Sequence, residues 1–569
     1  MKMISKKHNY LYLFIIILVQ ILILVHYINI KTIPYVDEIW TYGLANSKNK
    51  PFLYDTLNDA FQGDGFVFDS SNQLFNRWID GNYYLKYITV QPSERFDFEN
   101  VYENITLDIH PPFYYFLLHF ICSFFPNKFS LWFGYSINII FLFLTQLIIY
   151  KLCILISKKE SWALINCIFF ALSMGAVNAF IYIRMYCVLS FFYLSITYLA
   201  IIVCLKGNIT KLDFIKVVTV SFLGFLTDNQ FYYYVIALTL SCFVYIIYKR
   251  NYKLLLEYAA SGILCLLLFW NYFPWIFIQA ERFNNQIINT WKVSNFLLKP
   301  FPIDEILLNF SIMNNYILGL DINTQLELFK YVKTALSNFT VYFPVWLSIL
   351  LFLTFMYYIF LRSKGNKRYF ILLSTFFIYA ICLASNTFYN RTYHYLGLYT
   401  FSILPCFSLI FLSFYKYIVF KYVTRKKLQY ILFWAGFLIF VLASHYNSNR
   451  IWFCDYKPGT EKICDFLKDK SVIYIVDSNI LVDNLIHAKP WDFMKAKRVF
   501  ASRSHNIKKI LKEINRLSKN DDYILFLPNS PKGEYLYNKI MEQENITYST
   551  FIGIDNDQYC SFYMFRLQT

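Results

Sequence analysis

The sequence predicts a polytopic α-helical membrane protein of about eleven spans, with a cytoplasmic N-terminus, an extracytoplasmic C-terminus and a C-terminal extracytoplasmic α/β domain. Three observations predict it. Of 569 residues, 57% are hydrophobic and only 16% are charged, and the mean hydropathy is +0.40, whereas soluble domains carry about 25% charged residues. The basic residues behind the formal net charge of +17 fall mostly in short clusters between apolar runs. There they set membrane orientation rather than bind a polyanion, which argues against a nucleic-acid partner. From about Asn447 the composition changes to that of a soluble chain.

Lys2, Lys6 and Lys7 precede an apolar run from Tyr10 to about Ile28. That run is long enough to span and has no small-residue cleavage pattern after it, so it reads as a retained first helix. The loop 29–112 is then extracytoplasmic. Phe113 to Phe125 is short and opens on a double proline, which suits an interfacial or re-entrant helix better than a span. With that choice, spans at 130–157, 161–182, 185–205, 212–227, 231–248, 253–273, 342–361, 369–388, 393–420 and 428–446 put every basic cluster inside, Lys158-Lys159 and Arg425-Lys426-Lys427 among them. A second large outer loop covers 274–340. The expected division is a transmembrane catalytic domain, 1–446, and a soluble domain, 447–569.

In 447–569 the strand-like runs Val472 to Val476 and Tyr523 to Leu527 alternate with helical patterns at 507–517 and 533–543. Such alternation predicts a small α/β domain with a mostly parallel sheet. The twelve cysteines form no C-x-x-C pair, and those inside apolar runs read as small core hydrophobes. Cys454, Cys464 and Cys560 fall in the polar tail, where a Cys454–Cys464 disulfide stays open.

Chemistry-capable residues gather in the first outer loop. Asp37-Glu38 follows the first span by a few residues, and a carboxylate there can take a proton from an acceptor hydroxyl or help to hold a divalent cation. The plain alternative is a solvated loop charge. Ile39 to Ala45 reads as the start of an amphipathic helix that fixes the pair against the bilayer. The loop closes on Asp108-Ile109-His110-Pro111-Pro112, where proline stiffens the backbone and opens a helix near Pro112. Asp108 and His110 are expected on an extended approach to that helix, with a capping or packing role for His110 as the alternative.

An Asp-Glu pair just past the first span, then Asp-x-His-Pro-Pro-hydrophobic at the end of the first outer loop, resembles the protein O-mannosyltransferases. It also resembles their bacterial relatives, including the aminoarabinose transferases of lipid A, all of the GT-C superfamily. His110-Pro111-Pro112-Phe113-Tyr114-Tyr115 is similar to the bacterial His-Pro-Pro-Leu-Tyr-Tyr, and Arg184-Met185-Tyr186 to a Glu-Ala-Arg-Met-Tyr segment. Weaker likenesses lie at Phe225 to Asp228 and from Arg391 to Pro405. Together they cover about the first 405 residues. Tyr182-Ile183 departs from the Glu-Ala of the relatives, Asp228 stands where many have His, and the first outer loop is longer than in many bacterial members.

The resemblance implies a GT-C fold and inverting transfer of a sugar from a polyprenyl-phosphate donor to a hydroxyl acceptor at the outer face of the plasma membrane. The acceptor is a surface glycan, a lipid or a protein. It makes Asp37 the general base and Glu38 its support. Arg184 and Arg391, with Tyr186 and His110, become candidates for the donor phosphate, against a snorkelling role for either arginine. Asp108 and Asp228 become possible second carboxylates or metal ligands, and a divalent metal stays open as a cofactor. The competing readings are a flippase or transporter of lipid-linked glycans and an oligosaccharide ligase or polymerase. Transporters place ionisable residues at mid-bilayer, whereas the centres of these spans are nearly free of charge.

Overall fold

The computed structural model describes residues 2–48, 75–275, 393–446, 463–476, 490–517, 522–543, 546, 548–556 and 561–568, less positions 32 and 109, and the short pieces 368, 370–375 and 378–379. The expected span 342–361, nearly all of the loop 274–340, much of 369–388, and Arg391, Cys454 and Cys560 lie outside the described residues.

By contacts the chain forms two compact units, 1–29 with 135–452 and 30–134 with 453–569. This grouping differs from the expected boundary near 446, because the first loop clusters with the C-terminal residues rather than with the spans.

The first unit is helical. Six helices among the described residues are long and apolar enough to cross a membrane: His8–Ile30, Leu131–Ser157, Tyr186–Lys206, Gln230–Tyr248, Tyr252–Tyr272 and Ser402–Tyr422. The expected span 161–182 is a broken one, Glu160–Leu172 and Met174–Ile181 meeting at 62°. Ser173 marks the break, its hydroxyl accepting from the Ala176 N–H at 3.3 Å as the cap of the second piece. Counting that pair gives seven spans among the described residues, against the eleven expected. The 212–227 segment forms the shorter helix Lys211–Phe225, and Lys426–Tyr446 is also helical. Pro405 lies within the helix Tyr393–Tyr422. Polar side chains knit the apolar helices, as when Gln146 donates to Gln20 at 2.7 Å, both fully buried.

The second unit is built on a six-stranded sheet of order β1-β3-β2-β4-β6-β5. Its strands are β1 (Trp78–Asp80), β2 (Ser471–Val476), β3 (Arg498–Arg503), β4 (Tyr523–Pro528), β5 (Tyr548–Asn556) and β6 (Ser561–Gln568). Strand β2 runs parallel to β3 and β4, as the alternation with the helices Ile507–Ile514 and Pro531–Met541 requires. The sheet is nevertheless mixed, since β6 and β5 add antiparallel on one side and β1 on the other. β1 comes from the first loop. Trp78 lies opposite Phe500, packs its ring on Phe500 and Tyr523, and is covered by the Arg498 guanidinium at 4.4 Å.

Candidate active site

The Val36–Asn46 helix carries the carboxylate pair. Nine of its eleven residues are buried, more than the single face an amphipathic helix covers. It packs on the helices Gly81–Ile88, Phe98–Thr106 and Phe113–Cys122. Gly43 permits the first of these contacts, because a Cβ there would fall 1.9 Å from the Tyr87 ring. At its far end the Ser47 carbonyl accepts from Asn100 at 2.8 Å and Asn104 at 2.7 Å, while His119 Nδ1 bonds the Ala45 carbonyl at 2.7 Å.

The two adjacent acids meet different surroundings. Glu38 is fully buried, accepts the Tyr35 N–H at 2.7 Å and pairs with the buried Lys31 ammonium. A carboxylate so placed closes the helix N-terminus and neutralises a charge that has lost its water. Asp37, one residue earlier, is half-buried. Its backbone carbonyl accepts from Thr41 Oγ1 at 2.7 Å, an ordinary intrahelical contact.

Asp108 and His110 are brought together. His110 Nδ1 lies 3.0 Å from Asp108 Oδ2, and the Tyr115 hydroxyl donates to the same oxygen at 3.0 Å. The expected extended approach is a turn instead, with the Asp108 N–H donating to Ile105 O at 3.1 Å. The helix after it starts at Phe113, with Pro112 as its N-cap. A carboxylate accepts only, so the Asp108 contact assigns the proton on Nδ1 and turns Nε2 outward from the pair. Tyr115 is fully buried, so its hydroxyl holds Asp108 from a rigid base.

The first unit contains Arg184, Tyr186 and Asp228. Arg184 is 6% exposed and lies on the irregular backbone between Met174–Ile181 and Tyr186–Lys206. Interrupted backbone in a membrane-spanning region needs hydrogen-bond partners from nearby side chains. Asn138 supplies them, donating to the Phe180 and Tyr182 carbonyls at 2.9 and 3.0 Å. Tyr186 stacks on Tyr182 with ring centroids 6.0 Å apart. Sequence reasoning passed over Asn138, although a lone asparagine inside the apolar run 130–157 was the available signal. Asp228 is buried and accepts the Gln230 N–H at 2.6 Å, one residue ahead of Asn229, the N-cap of the helix Gln230–Tyr248.

Among the described residues no group of three or more His, Cys, Asp or Glu side chains could hold a metal ion. Asp108 and His110 supply two candidate donors, which are engaged with one another.

No protein-family model matches the chain, and no curated protein matches it. Among solved structures, it is similar to ArnT from Cupriavidus metallidurans bound to undecaprenyl phosphate, with a TM-score of 0.38 and 9% identity over 80% of this chain and 87% of that one. It is also similar to the archaeal oligosaccharyltransferase AglB from Archaeoglobus fulgidus in complex with an inhibitory peptide and a dolichol-phosphate, with a TM-score of 0.35 and 14% identity over 76% of this chain and 60% of that one. At these scores the likeness lends no weight to any residue's role.

Proposed function

We propose that the protein is a membrane glycosyltransferase that moves a sugar from a polyprenyl-phosphate donor to a hydroxyl acceptor at the outer face of the membrane, with Asp37 as general base. The observation that supports this reading is the division between neighbouring acids. Glu38 is committed to Lys31 and the Tyr35 N–H, while Asp37 is held half-buried on the first turn of the same rigid helix. A base needs fixed geometry and access to the proton it removes. The acceptor proton passes to Asp37 as the acceptor oxygen bonds to the anomeric carbon. The bond from that carbon to the phosphate oxygen breaks on the opposite side, so the centre inverts and polyprenyl phosphate leaves.

Glu38 supports the base by fixing its helix rather than by touching the acceptor. His110, oriented by Asp108 and Tyr115, is assigned to assist the donor phosphate. Arg184, Tyr186 and Arg391 carry the same assignment from the sequence motifs alone, since an arginine offers bidentate donors to a phosphate leaving group. Asp228 is assigned to holding the Gln230 N–H where the helix Gln230–Tyr248 begins.

The test is turnover of a panel of polyprenyl-phosphate monosaccharides by the full-length protein in nanodiscs, wild type beside Asp37→Asn. Release of polyprenyl phosphate by the wild type and its loss in a folded Asp37→Asn is the expected result. Equal release by both removes Asp37 from the base role. No turnover by either, with tight binding of a lipid-linked oligosaccharide, favours a flippase or ligase.

A further inference from the structure

In the second unit, the helix Pro531–Met541 sends Leu536 and Ile540 into the sheet core and lays Tyr537 on the face of β6. Tyr537 stacks on Phe565 with ring centroids 4.4 Å apart and an angle of 27°. The aromatic surface continues beyond the helix. Phe551 lies directly opposite Phe565 in the β5–β6 register, its ring 5.6 Å from Phe565 and 6.2 Å from Tyr563. Phe551 is 54% exposed, a large apolar ring presented to solvent on an edge strand.

Helix and hairpin enclose an open cleft of about 360 Å³, near the lower end of the ~300–1,000 Å³ usual for small-molecule sites. Tyr537, Phe551, Tyr563 and Phe565 line it together with the polar residues Glu534 and Asn538. Gly533 lets the helix approach this closely, because a Cβ there would meet the Pro528 carbonyl at 1.9 Å.

The lining selects its ligand by chemistry. Among the described residues none of those lining the cleft is lysine or arginine, so a phosphate or carboxylate ligand finds no counter-charge there and meets Glu534 as a like charge. A purely apolar ligand would strip water from Glu534 and Asn538 without replacing it. A sugar ring answers both halves. Its C–H face lies on the electron-rich aromatic faces, while its hydroxyls donate to the Glu534 carboxylate and exchange hydrogen bonds with the Asn538 amide.

We propose that this cleft is a glycan-binding subsite that takes a short segment of neutral sugar. As a seat for the acceptor it rests on the transfer reading above; as a sugar site it rests on its own lining.

The test is saturation-transfer-difference NMR on the full-length protein in nanodiscs, with cellotetraose, maltotetraose and chitotetraose as probes and empty nanodiscs as the blank. Phe551→Ala and Glu534→Gln change exposed side chains, and their melting curves verify that they fold. At least one probe is expected to receive saturation on its ring protons from the wild type. Its Kd should rise about tenfold or more in Phe551→Ala and rise, less steeply, in Glu534→Gln. Absence of transfer to all three probes, or the same Kd in wild type and both variants, overturns the proposal. Sugar binding by a protein that turns over no polyprenyl-phosphate donor keeps the subsite and removes the transfer reading; donor turnover without sugar binding does the reverse.

Discussion

Lys31 Nζ and Glu38 Oε1 form an ion pair in which neither side chain is reached by solvent. A buried pair is costly to assemble and far more costly to break from one side, since the remaining charge has neither water nor partner. Glu38→Ala is therefore expected to destabilise the protein by about 3–5 kcal/mol. Replacing both residues by methionine strands no charge and leaves mainly the lost cap, about 0.5–2 kcal/mol. Thermal unfolding in one detergent compares them. A double variant less stable than Glu38→Ala would refute the account.

The Tyr115 hydroxyl and His110 Nδ1 meet at the same oxygen, Asp108 Oδ2. Tyr115→Phe removes a hydrogen bond to a charged acceptor, which is worth about 1.5–3 kcal/mol. If His110 assists the donor, Tyr115→Phe and His110→Gln should both lower turnover, and the double variant should lose little beyond His110→Gln alone. Losses that simply add, in a kinetic double-mutant cycle, would separate Tyr115 from His110.

Asn138 holds two carbonyls of the break before Arg184. Asn138→Leu leaves them without those donors, at about 1–3 kcal/mol for each group. Asn138→Asp keeps the size but loses the NH₂ and should not rescue. The readouts are the melting temperature and the donor KM. A KM unchanged in Asn138→Leu, with only stability reduced, would give the break no part in donor binding.

Burial lowers the His119 pKa, outweighing the Ala45 carbonyl and the Asp97 carboxylate, which favour the cation. The unfolded chain protonates near pH 6.5, and the folded one below that. The unfolded state therefore binds more protons between the two values, and stability that is full above about pH 6.5 falls as the pH descends through that window. Melting temperatures at pH 7.5 and 5.5 should differ more for the wild type than for His119→Gln. An equal difference would show that other groups set the acid sensitivity.

How far the sequence reaches depends on the kind of information asked of it. The apolar runs near 10–28, 130–157, 185–205, 231–248 and 253–273 became the expected long helices, because hydropathy is a local sum and needs no partner. The strands at 472–476 and 523–527 appeared for the same reason, their apolar character being continuous where both faces are covered. The contact between Asp108 and His110 was not legible in the same way, since their prolines suggested an extended approach where the chain makes a turn.

What the tertiary structure decided are the matters settled by residues far apart in the chain. β1 has three residues, too few for any alternation to show, and it exists because β3, over 400 positions later, pairs with it. That pairing groups the first loop with the C-terminal residues. The bend at Ser173 lies inside a run whose hydropathy is unbroken, and the antiparallel β5–β6 addition follows from pairing energies that periodicity does not record. Glu38 and Asp37 are adjacent acids of similar chemistry. Only the three-dimensional placement of the Lys31 ammonium against Glu38 seals one in a buried ion pair while the other stays half-buried, because a charge taken out of water must find its partner in space.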